Sequence, residues 1–156
     1  MGSISLEQVT EEICSDCVFK HLSLIDGHVT SVYAKALEQF ELTPNQLSFL
    51  VVILKVSAIT EVTPALFGKI LGKEKSTVSR NLKRMEERGL VRFKTSDRGY
   101  ASAVMVTEKG RKVVMAAYDS WVEAQKIIKD SLGEDLIRSL KSFSAELSEG
   151  VSSGSR

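Results

Sequence analysis

The sequence predicts a mainly α-helical fold with one small β-hairpin. A threonine directly before a proline occurs twice, at Thr43-Pro44 and Thr63-Pro64. Each pair predicts the start of a helix, with the hydroxyl as the cap and the proline at the first helical position. Two β-prone runs, Leu90–Thr95 and Ala101–Val106, flank a turn-rich segment and predict the hairpin. A chain of 156 residues suits one domain, or one domain with an additional helical arm.

Further helices are predicted on both sides of the hairpin. Apolar residues recur at helical spacing between Leu6 and Phe40, which predicts one helix or two, with Gly27 as the weak point. Before the hairpin, the remaining predicted elements are a buried helix over Pro44–Ser57, a small β-branched strand over Ile59–Thr63, a short helix from Pro64 that ends at Gly72, and a helix over Glu74–Arg88 that Gly89 stops. After the hairpin, a long helix from a Thr107 cap to about Leu132 and a last amphipathic helix over Glu134–Leu147 are predicted.

This order places a helix-turn-helix and a two-stranded wing in the middle of the chain. We therefore expect residues 1–42 to form an N-terminal dimerisation helix, 43–106 a winged helix-turn-helix DNA-binding region, 107–150 the C-terminal dimerisation helices and 151–156 a disordered tail. The long helix carries more apolar side chains than a small winged domain can cover. A symmetric dimer is the simplest cover, and the alternative is that the first helix covers this face within one chain.

Positive charge is concentrated in one quarter of the chain. Residues 64–100 hold ten basic and four acidic side chains, a net charge of +6, whereas the rest of the chain holds 11 basic and 16 acidic ones, a net charge of −5. This distribution predicts that one face attracts a polyanion such as double-stranded DNA and that the other faces repel it.

The helix over Glu74–Arg88 is the predicted recognition helix. Val78, Leu82 and Met85 share one stripe and are expected to face the core. The opposite face carries small hydroxyl side chains and then cations, a pattern suited to the major groove. The candidate DNA contacts on this helix are Lys75, Ser76, Thr77, Ser79, Arg80, Lys83 and Arg84. A solvated amphipathic helix is the alternative interpretation, but the capped short helix before it and the hairpin after it favour DNA.

The hairpin adds cations directly after the recognition helix. Lys94 and Arg98 are candidate contacts with the DNA backbone or with the minor groove, where narrow A·T tracts attract arginine. Asp97 is interpreted as a turn residue.

Four segments resemble the MarR (multiple-antibiotic-resistance regulator) family of winged helix-turn-helix transcription factors, across nearly the whole chain. The segments are Leu42–Leu47, similar to the opening of the family's second helix; Lys75–Val91, similar to its recognition helix and exit; Thr107–Gly110, similar to the start of its long dimerisation helix; and Trp121–Gln125 followed by Leu132-Gly133, similar to one branch of the family.

The resemblance implies a triangular homodimer in which the first helix intertwines with the last two. It also implies repression of a nearby operon that a small ligand or thiol oxidation relieves. The wing departs from the family pattern, which has an aspartate with an arginine two positions on. Here Gly99 occupies that position after Asp97, and Arg98 precedes it.

Two cysteines near the N-terminus, Cys14 and Cys17, share one predicted helix stripe with His21 and have three candidate roles. They could be small hydrophobic residues in the dimer seam. They could form a redox sensor, in which Lys20 or a protonated His21 would favour the thiolate; some branches of the family carry sensing cysteines near this point. A metal site with Cys14, Cys17 and His21 is the third hypothesis, and it needs a fourth ligand from elsewhere.

The function that these patterns predict is a dimeric, sequence-specific regulator, most simply a repressor, released from a pseudo-palindromic duplex by an effector. A ligand would fit a crevice between the dimer arm and the winged domain. The alternatives are a winged-helix protein-interaction module without specific DNA binding, and a metal-responsive regulator. No Gly-rich phosphate loop or nucleophile elbow occurs, so we expect neither an enzyme nor a cofactor. Without a long apolar run or an export signal, we expect a cytoplasmic protein with reduced thiols and no membrane partner.

Overall fold

The fold combines α-helices with a two-stranded antiparallel sheet. The structure, a computed structural model, describes residues 4–72, 74–95 and 101–153, with side chains at all of these except 101–102 and 148–153. In chain order, the elements are α1 (Leu6–Asp16), α2 (Val18–Leu37), a 3-10 turn (Glu38–Phe40), α3 (Pro44–Ser57), α4 (Pro64–Leu71), α5 (Lys75–Glu87), β1 (Val91–Thr95), β2 (Ala101–Val106), α6 (Glu108–Ala116), α7 (Tyr118–Leu132) and α8 (Glu134–Ser153). The predicted fold class, mainly α with a small β wing, is confirmed.

These elements form two compact units. The first unit contains α1, α2 up to Lys35, the end of α7 from Lys126, and α8. The second unit, residues 36–125, contains the 3-10 turn, α3 to α6, the hairpin and the beginning of α7. All the candidate DNA contacts fall within the sequence range of the second unit, and both cysteines fall within the first.

Capping fixes the two helices that the threonine–proline pairs begin. The Thr43 hydroxyl accepts a hydrogen bond from the Gln46 main-chain N–H at 3.2 Å, and the Gln46 side chain accepts one from the Thr43 N–H at 3.1 Å. This reciprocal capping box satisfies two donors that the start of α3 would otherwise leave open. The Thr63 hydroxyl accepts from the N–H of Leu66 at 3.1 Å at the start of α4. Both predicted helix starts are confirmed.

The hydrophobic core of the second unit lies between α3, α4, α5 and the hairpin. Phe49 of α3 and Phe67 of α4 meet edge to face with their ring centroids 4.8 Å apart. Val78, Leu82 and Met85 of α5 are fully buried in this core, which confirms the predicted stripe. Burial of that stripe turns the opposite face of α5 outward.

The hairpin forms where the sequence predicts it, with one irregularity. Lys94 pairs with Ala103, whereas the next residue, Thr95, pairs with Ala101. One additional residue of β2 is therefore accommodated between the two pairs, as in a β-bulge.

The strand predicted over Ile59–Thr63 is wrong. The first two N–H groups of this segment bond to the main-chain oxygen of Val56 at 2.9 and 3.0 Å, so they continue the end of α3 as a turn. Residues 61–63 do not pair as a strand of the sheet. The Val62 main-chain oxygen nevertheless accepts a hydrogen bond from the N–H of Val104 in β2, at 2.8 Å. The segment therefore lies along the edge of β2 without forming a third strand.

The N-terminal helical region breaks at Cys17, whose extended backbone, with φ −67° and ψ 103°, separates α1 from α2. The side chains of Lys20 and His21 reach back to the end of α1. Lys20 Nζ donates to the carbonyl of Cys14 at 2.7 Å, and His21 Nε2 lies 2.8 Å from the carbonyl oxygen of Ser15. These contacts satisfy carbonyls that the end of α1 leaves without helical partners.

Two other predicted boundaries differ from the structure. Gly27, the predicted weak point, lies inside α2, so that prediction is wrong. The long helix predicted from the Thr107 cap is divided by a turn at the buried Ala117 into α6 and α7. The last helix, α8, extends to Ser153 rather than ending at Leu147.

Candidate DNA-binding surface

The candidate DNA-binding surface is built on α4 and α5. Glu74 occupies the N-cap position of α5, but its side chain makes no capping hydrogen bond. The first turn of α5 therefore receives no cap from this residue. The N–H groups at such a helix start are suited to a phosphate oxygen, and the helix dipole favours negative charge there.

The outward face of α5 carries the predicted contacts. Of the predicted contacts, those with exposed side chains are Lys75, Ser76, Ser79, Arg80, Lys83 and Arg84. The seventh predicted contact, Thr77, is half-buried, and its main-chain oxygen accepts from Asn81 Nδ2 at 2.9 Å. Arg80 Nε donates to the carbonyl of Ser76 at 3.3 Å, which uses one of the five donors of the guanidinium. The structure thus places six of the seven on one accessible surface and Thr77 at its edge.

Exposed carboxylates also lie on α5, at Glu86 and Glu87, but no ion pair within the described residues joins them to the cations of this surface. Within residues 4–72, 74–95 and 101–153, none of the recorded ion pairs involves Lys75, Arg80, Lys83 or Arg84. Four positive charges on one exposed helix face repel one another and attract a polyanion. This is the electrostatic arrangement that major-groove binding needs.

Arg88, just beyond α5, behaves differently from these four cations. Its side chain is 31% exposed and turns inward. Nη1 donates to the main-chain oxygen of Glu41 at 2.5 Å and lies 3.3 Å from Gln46 Oε1. By sequence alone, Arg88 is one of the ten basic residues of the segment 64–100. Its partners are 47 and 42 residues away, so no local pattern could have identified this role.

The wing contributes Lys94, but the side chain of Lys94 forms an ion pair with Glu61. Lys94 Nζ lies 2.7 Å from Glu61 Oε1, and the two side chains are 58% and 63% exposed. An ion pair this exposed stabilises a fold by about 1 kcal/mol at most, yet it offsets the charge that Lys94 presents to DNA. The predicted contact Arg98, together with Asp97 and Gly99, lies outside the described residues.

The segment that contains this surface is that of a known regulator family. Residues 40–99 match the sequence model of the MarR family. Over 87% of this chain and 98% of its own, the transcriptional regulator MosR of M. tuberculosis is 26% identical to the chain, with a TM-score of 0.71. The chain resembles the MarR family in sequence over this segment and in fold over most of its length. No curated protein sequence matches it.

Other solved structures share the fold of this chain. MosR in complex with DNA is similar with a TM-score of 0.70 and 24% identity, over 90% of this chain and 100% of its own. CouR from Rhodococcus jostii bound to p-coumaroyl-CoA is similar with a TM-score of 0.69 and 22% identity, over 86% of this chain and 93% of its own. The predicted resemblance and the class of transcription regulator are confirmed.

A cavity of about 470 Å³ lies beside the wing. Val62 and Val104 contribute apolar surface, while Arg92, Lys94 and Glu61 bring two cations and one carboxylate to the lining. Its size is within the range of small-molecule sites, which are mostly apolar with a few polar groups. All the lining residues belong to the second unit, so this cavity is distinct from the predicted crevice beside the dimer arm.

The cysteines do not form the predicted stripe. Cys14 is exposed on α1, and Cys17 is half-buried at the break between α1 and α2. Because of that break, Cys14 and His21 lie on different helices, and the prediction of a shared stripe is wrong. Lys20 and His21 contact main-chain oxygens of α1. Among the described residues, no group of three or more His, Cys, Asp or Glu side chains is arranged to hold a metal ion.

The terminal helices leave large apolar side chains exposed. These are Leu6 and Ile13 of α1, Val18, Phe19, Leu22 and Leu24 of α2, Ile127 of α7, and Leu136, Phe143 and Leu147 of α8. In contrast, Tyr33 of α2 is half-buried, and its burial raises the pKa of the phenol. Of the helices that the structure describes, none is both long and apolar enough to span a membrane.

Proposed function

We propose that the chain is a homodimeric transcription repressor that binds a pseudo-palindromic DNA site and releases it in response to a small ligand or to thiol oxidation. The single observation that carries the proposal is the exposed cationic face of α5, set beside a wing. Short side chains at Ser76 and Ser79 let the helix approach the base edges, and Arg80 can donate two hydrogen bonds to a guanine. Lys75, Lys83 and Arg84 would contact phosphates on either side.

Dimerisation is supported by the exposed apolar side chains of the first unit. Phe19 is 79% exposed, and Phe143 is 58% exposed, in a single chain. Apolar burial stabilises association by about 25 cal/mol per Å² before the entropy costs of association are subtracted. A second copy of the chain is the simplest cover, since a symmetric dimer presents the same surface twice. Two copies of α5 could then enter successive major grooves, about 34 Å apart.

Release by a small molecule is supported by the cavity beside the wing. Its apolar surface and its excess of one cation suit an organic anion, and both cations are carried by β1. A ligand that engages Arg92 or Lys94 would reduce the positive charge that the wing presents to DNA. CouR, a neighbour in fold, is bound to p-coumaroyl-CoA, and this supports an organic anion as the class of ligand. The predicted crevice beside the dimer arm stays a second candidate location.

Release by oxidation is the other arm of the proposal. Cys14 is exposed and therefore accessible to peroxide. Lys20 and His21, the residues expected to favour a thiolate, are instead engaged with the main chain of α1. This arrangement favours the ligand over the oxidant as the signal.

The test begins with binding selection from a pool of random duplexes, together with the molar mass of the purified chain at micromolar concentration. We expect a dimer and a two-fold symmetric consensus with half-sites about 10 base pairs apart. A monomer without sequence preference would overturn the proposal. Weak, strongly salt-sensitive binding without a consensus would instead indicate the protein-interaction module. Metal analysis of the same preparation separates the metal-responsive alternative, which requires bound zinc.

A further inference from the structure

We propose that Arg88 is a positioning residue that fixes the orientation of α5 against the two segments on either side of it. These segments are the corner between α2 and α3 and the start of α6. The inference rests on the proposed function, since the orientation of α5 matters for recognition only if α5 enters a DNA groove. Arg88 itself lies outside the set of predicted DNA contacts.

The side chain of Arg88 binds the start of α3. Nη1 donates to the Glu41 main-chain oxygen at 2.5 Å and contacts Gln46 Oε1 at 3.3 Å, while Nη2 lies 3.5 Å from Glu41 Oε2. Gln46 is buried, and the same Oε1 atom also accepts from the Thr43 N–H in the capping box of α3. A planar guanidinium donates in fixed directions, so these bonds set the angle at which α5 ends as well as its distance.

The corner that Arg88 contacts has an unusual backbone. Glu41 has a φ of 53°, and it is the one non-glycine residue with positive φ in the described part of the chain. The left-handed region disfavours residues with a side chain, so such a conformation persists only where neighbouring contacts hold it. The Glu41 N–H donates to Glu38 at 2.8 Å, and its carbonyl is held by Arg88. Arg88 is thus bonded to a corner that begins four residues after the end of α2.

The main chain at Arg88 is held from the other side by α6. The Arg88 carbonyl accepts from Lys109 Nζ at 2.8 Å, and the next carbonyl, of Gly89, accepts from the Thr107 hydroxyl at 2.6 Å. The approach is close, because a Cβ on Gly110 would lie 2.3 Å from the Leu90 oxygen. The end of α5 therefore has no room to shift toward α6.

The turn at the end of α5 is itself well defined. The N–H of Leu90 donates to Met85 at 2.9 Å and the N–H of Gly89 to Glu86 at 2.8 Å, which is the Schellman arrangement. Gly89 has a φ of 68°, which a residue with a side chain would adopt only with strain. A rigid turn transmits displacement at Arg88 to the whole of α5.

Arg88 contacts two segments that, along the chain, lie next to the two connections between the units. The corner at Glu41 follows the connection at Lys35, and α6 precedes the connection at Lys126. A rearrangement of either segment must break or move the bonds at Arg88. A change in the position of either segment would therefore change the orientation of Ser79 and Arg80 on α5. Arg88 thus acts on recognition without contacting DNA.

The test compares Arg88→Gln with Arg84→Gln, which removes the same charge from a predicted phosphate contact. The probes are the duplex recovered by selection with the wild type and a scrambled duplex of equal length, each titrated over a range of salt concentrations. For Arg88→Gln we expect about tenfold weaker binding to the selected duplex, unchanged binding to the scrambled one and an unchanged salt slope. For Arg84→Gln we expect the salt slope to fall by about one unit on both duplexes.

Two results overturn the inference. The first is a salt slope for Arg88→Gln that falls as it does for Arg84→Gln, since this would make Arg88 a phosphate contact. The second is an unchanged ratio of selected to scrambled affinity. If Arg88→Gln does not fold, the test uses Lys109→Met instead, because Lys109 is exposed. Its loss should lower the ratio of selected to scrambled affinity about threefold at an unchanged salt slope. A wild type that selects no duplex refutes the proposed function instead, which keeps the two failures distinct.

Discussion

Lys94 of β1 lies 2.7 Å from a carboxylate oxygen of Glu61, across β2. β2 separates the two residues because it pairs with β1 on one edge and, through Val104, with Val62 on the other. Ala103, the residue opposite Lys94 on β2, is buried although it lies on the outer face of the hairpin. The ion pair therefore ties the wing to the segment before α4 and reduces the positive charge of the wing.

Glu61→Gln is expected to strengthen DNA binding. The substitution removes the carboxylate that offsets the charge of Lys94. We expect a gain of about two- to tenfold in affinity at low salt and a salt slope steeper by about one unit. Titration by fluorescence anisotropy at several salt concentrations measures both. In a Lys94→Ala background the same substitution should have little effect, and an equal gain there would contradict the explanation.

Arg80→Ala is expected to weaken and broaden recognition. Loss of a bidentate guanine contact should cost about 1–3 kcal/mol on the selected duplex and relax specificity at one position of each half-site. Repeating the binding selection with the variant measures both effects. Lys112→Ala, an exposed cation on α6, is the control and should change neither. Equal weakening on every sequence would assign Arg80 to the phosphates.

Gly110→Ala is expected to destabilise the second unit, which contains the wing. The added Cβ would lie 2.3 Å from the Leu90 carbonyl oxygen and 2.7 Å from Val106 Cγ1, and both atoms belong to packed segments. We expect a loss of about 1–3 kcal/mol in the free energy of unfolding, measured with urea. Gly27→Ala is the matched control: beyond the adjacent backbone of its own helix, no atom would lie within 4 Å of the added Cβ. There the helix propensity of alanine should stabilise the chain by up to about 1 kcal/mol.

Phe143→Glu is expected to weaken the dimer. Phe143 is 58% exposed on α8, and a buried glutamate in its place would lack a partner. The dissociation constant of the dimer, from sedimentation equilibrium, should rise at least about tenfold. Ile59→Glu introduces the same charge at an apolar residue of the second unit that is 86% exposed, and it should leave the dimer intact. A dimer unaffected by Phe143→Glu would place the interface elsewhere.

The response to peroxide separates the two release signals. If the thiols act as the sensor, wild-type protein loses operator affinity after oxidation and Cys17→Ser or Cys14→Ser retains it. The contacts of Lys20 and His21 lead us to expect the other outcome, with equal affinities in wild type and variants. A thiol-dependent loss of binding would overturn that expectation.

Much of the fold could be predicted because its determinants are local. Thr43 and Gln46 are three residues apart, which is the spacing of a capping box, and periodicity placed Val78, Leu82 and Met85 on one buried face. Local sequence patterns were insufficient where two neighbouring elements compete for the same main-chain N–H groups. Ile59–Thr63 has the β-branched composition of a strand, but its first two N–H groups are used by the end of α3.

The sequence by itself determined the order of the helices, the hairpin and the outward cationic face of α5, because spacing along the chain dictates caps and helical faces. Only the tertiary structure decided which cations remain available. Lys94 and Glu61 are 33 residues apart, and Arg88 and Glu41 are 47 apart. Two of the cations counted in the basic segment are therefore paired or turned inward, since long-range contacts form only after the core has brought distant segments together.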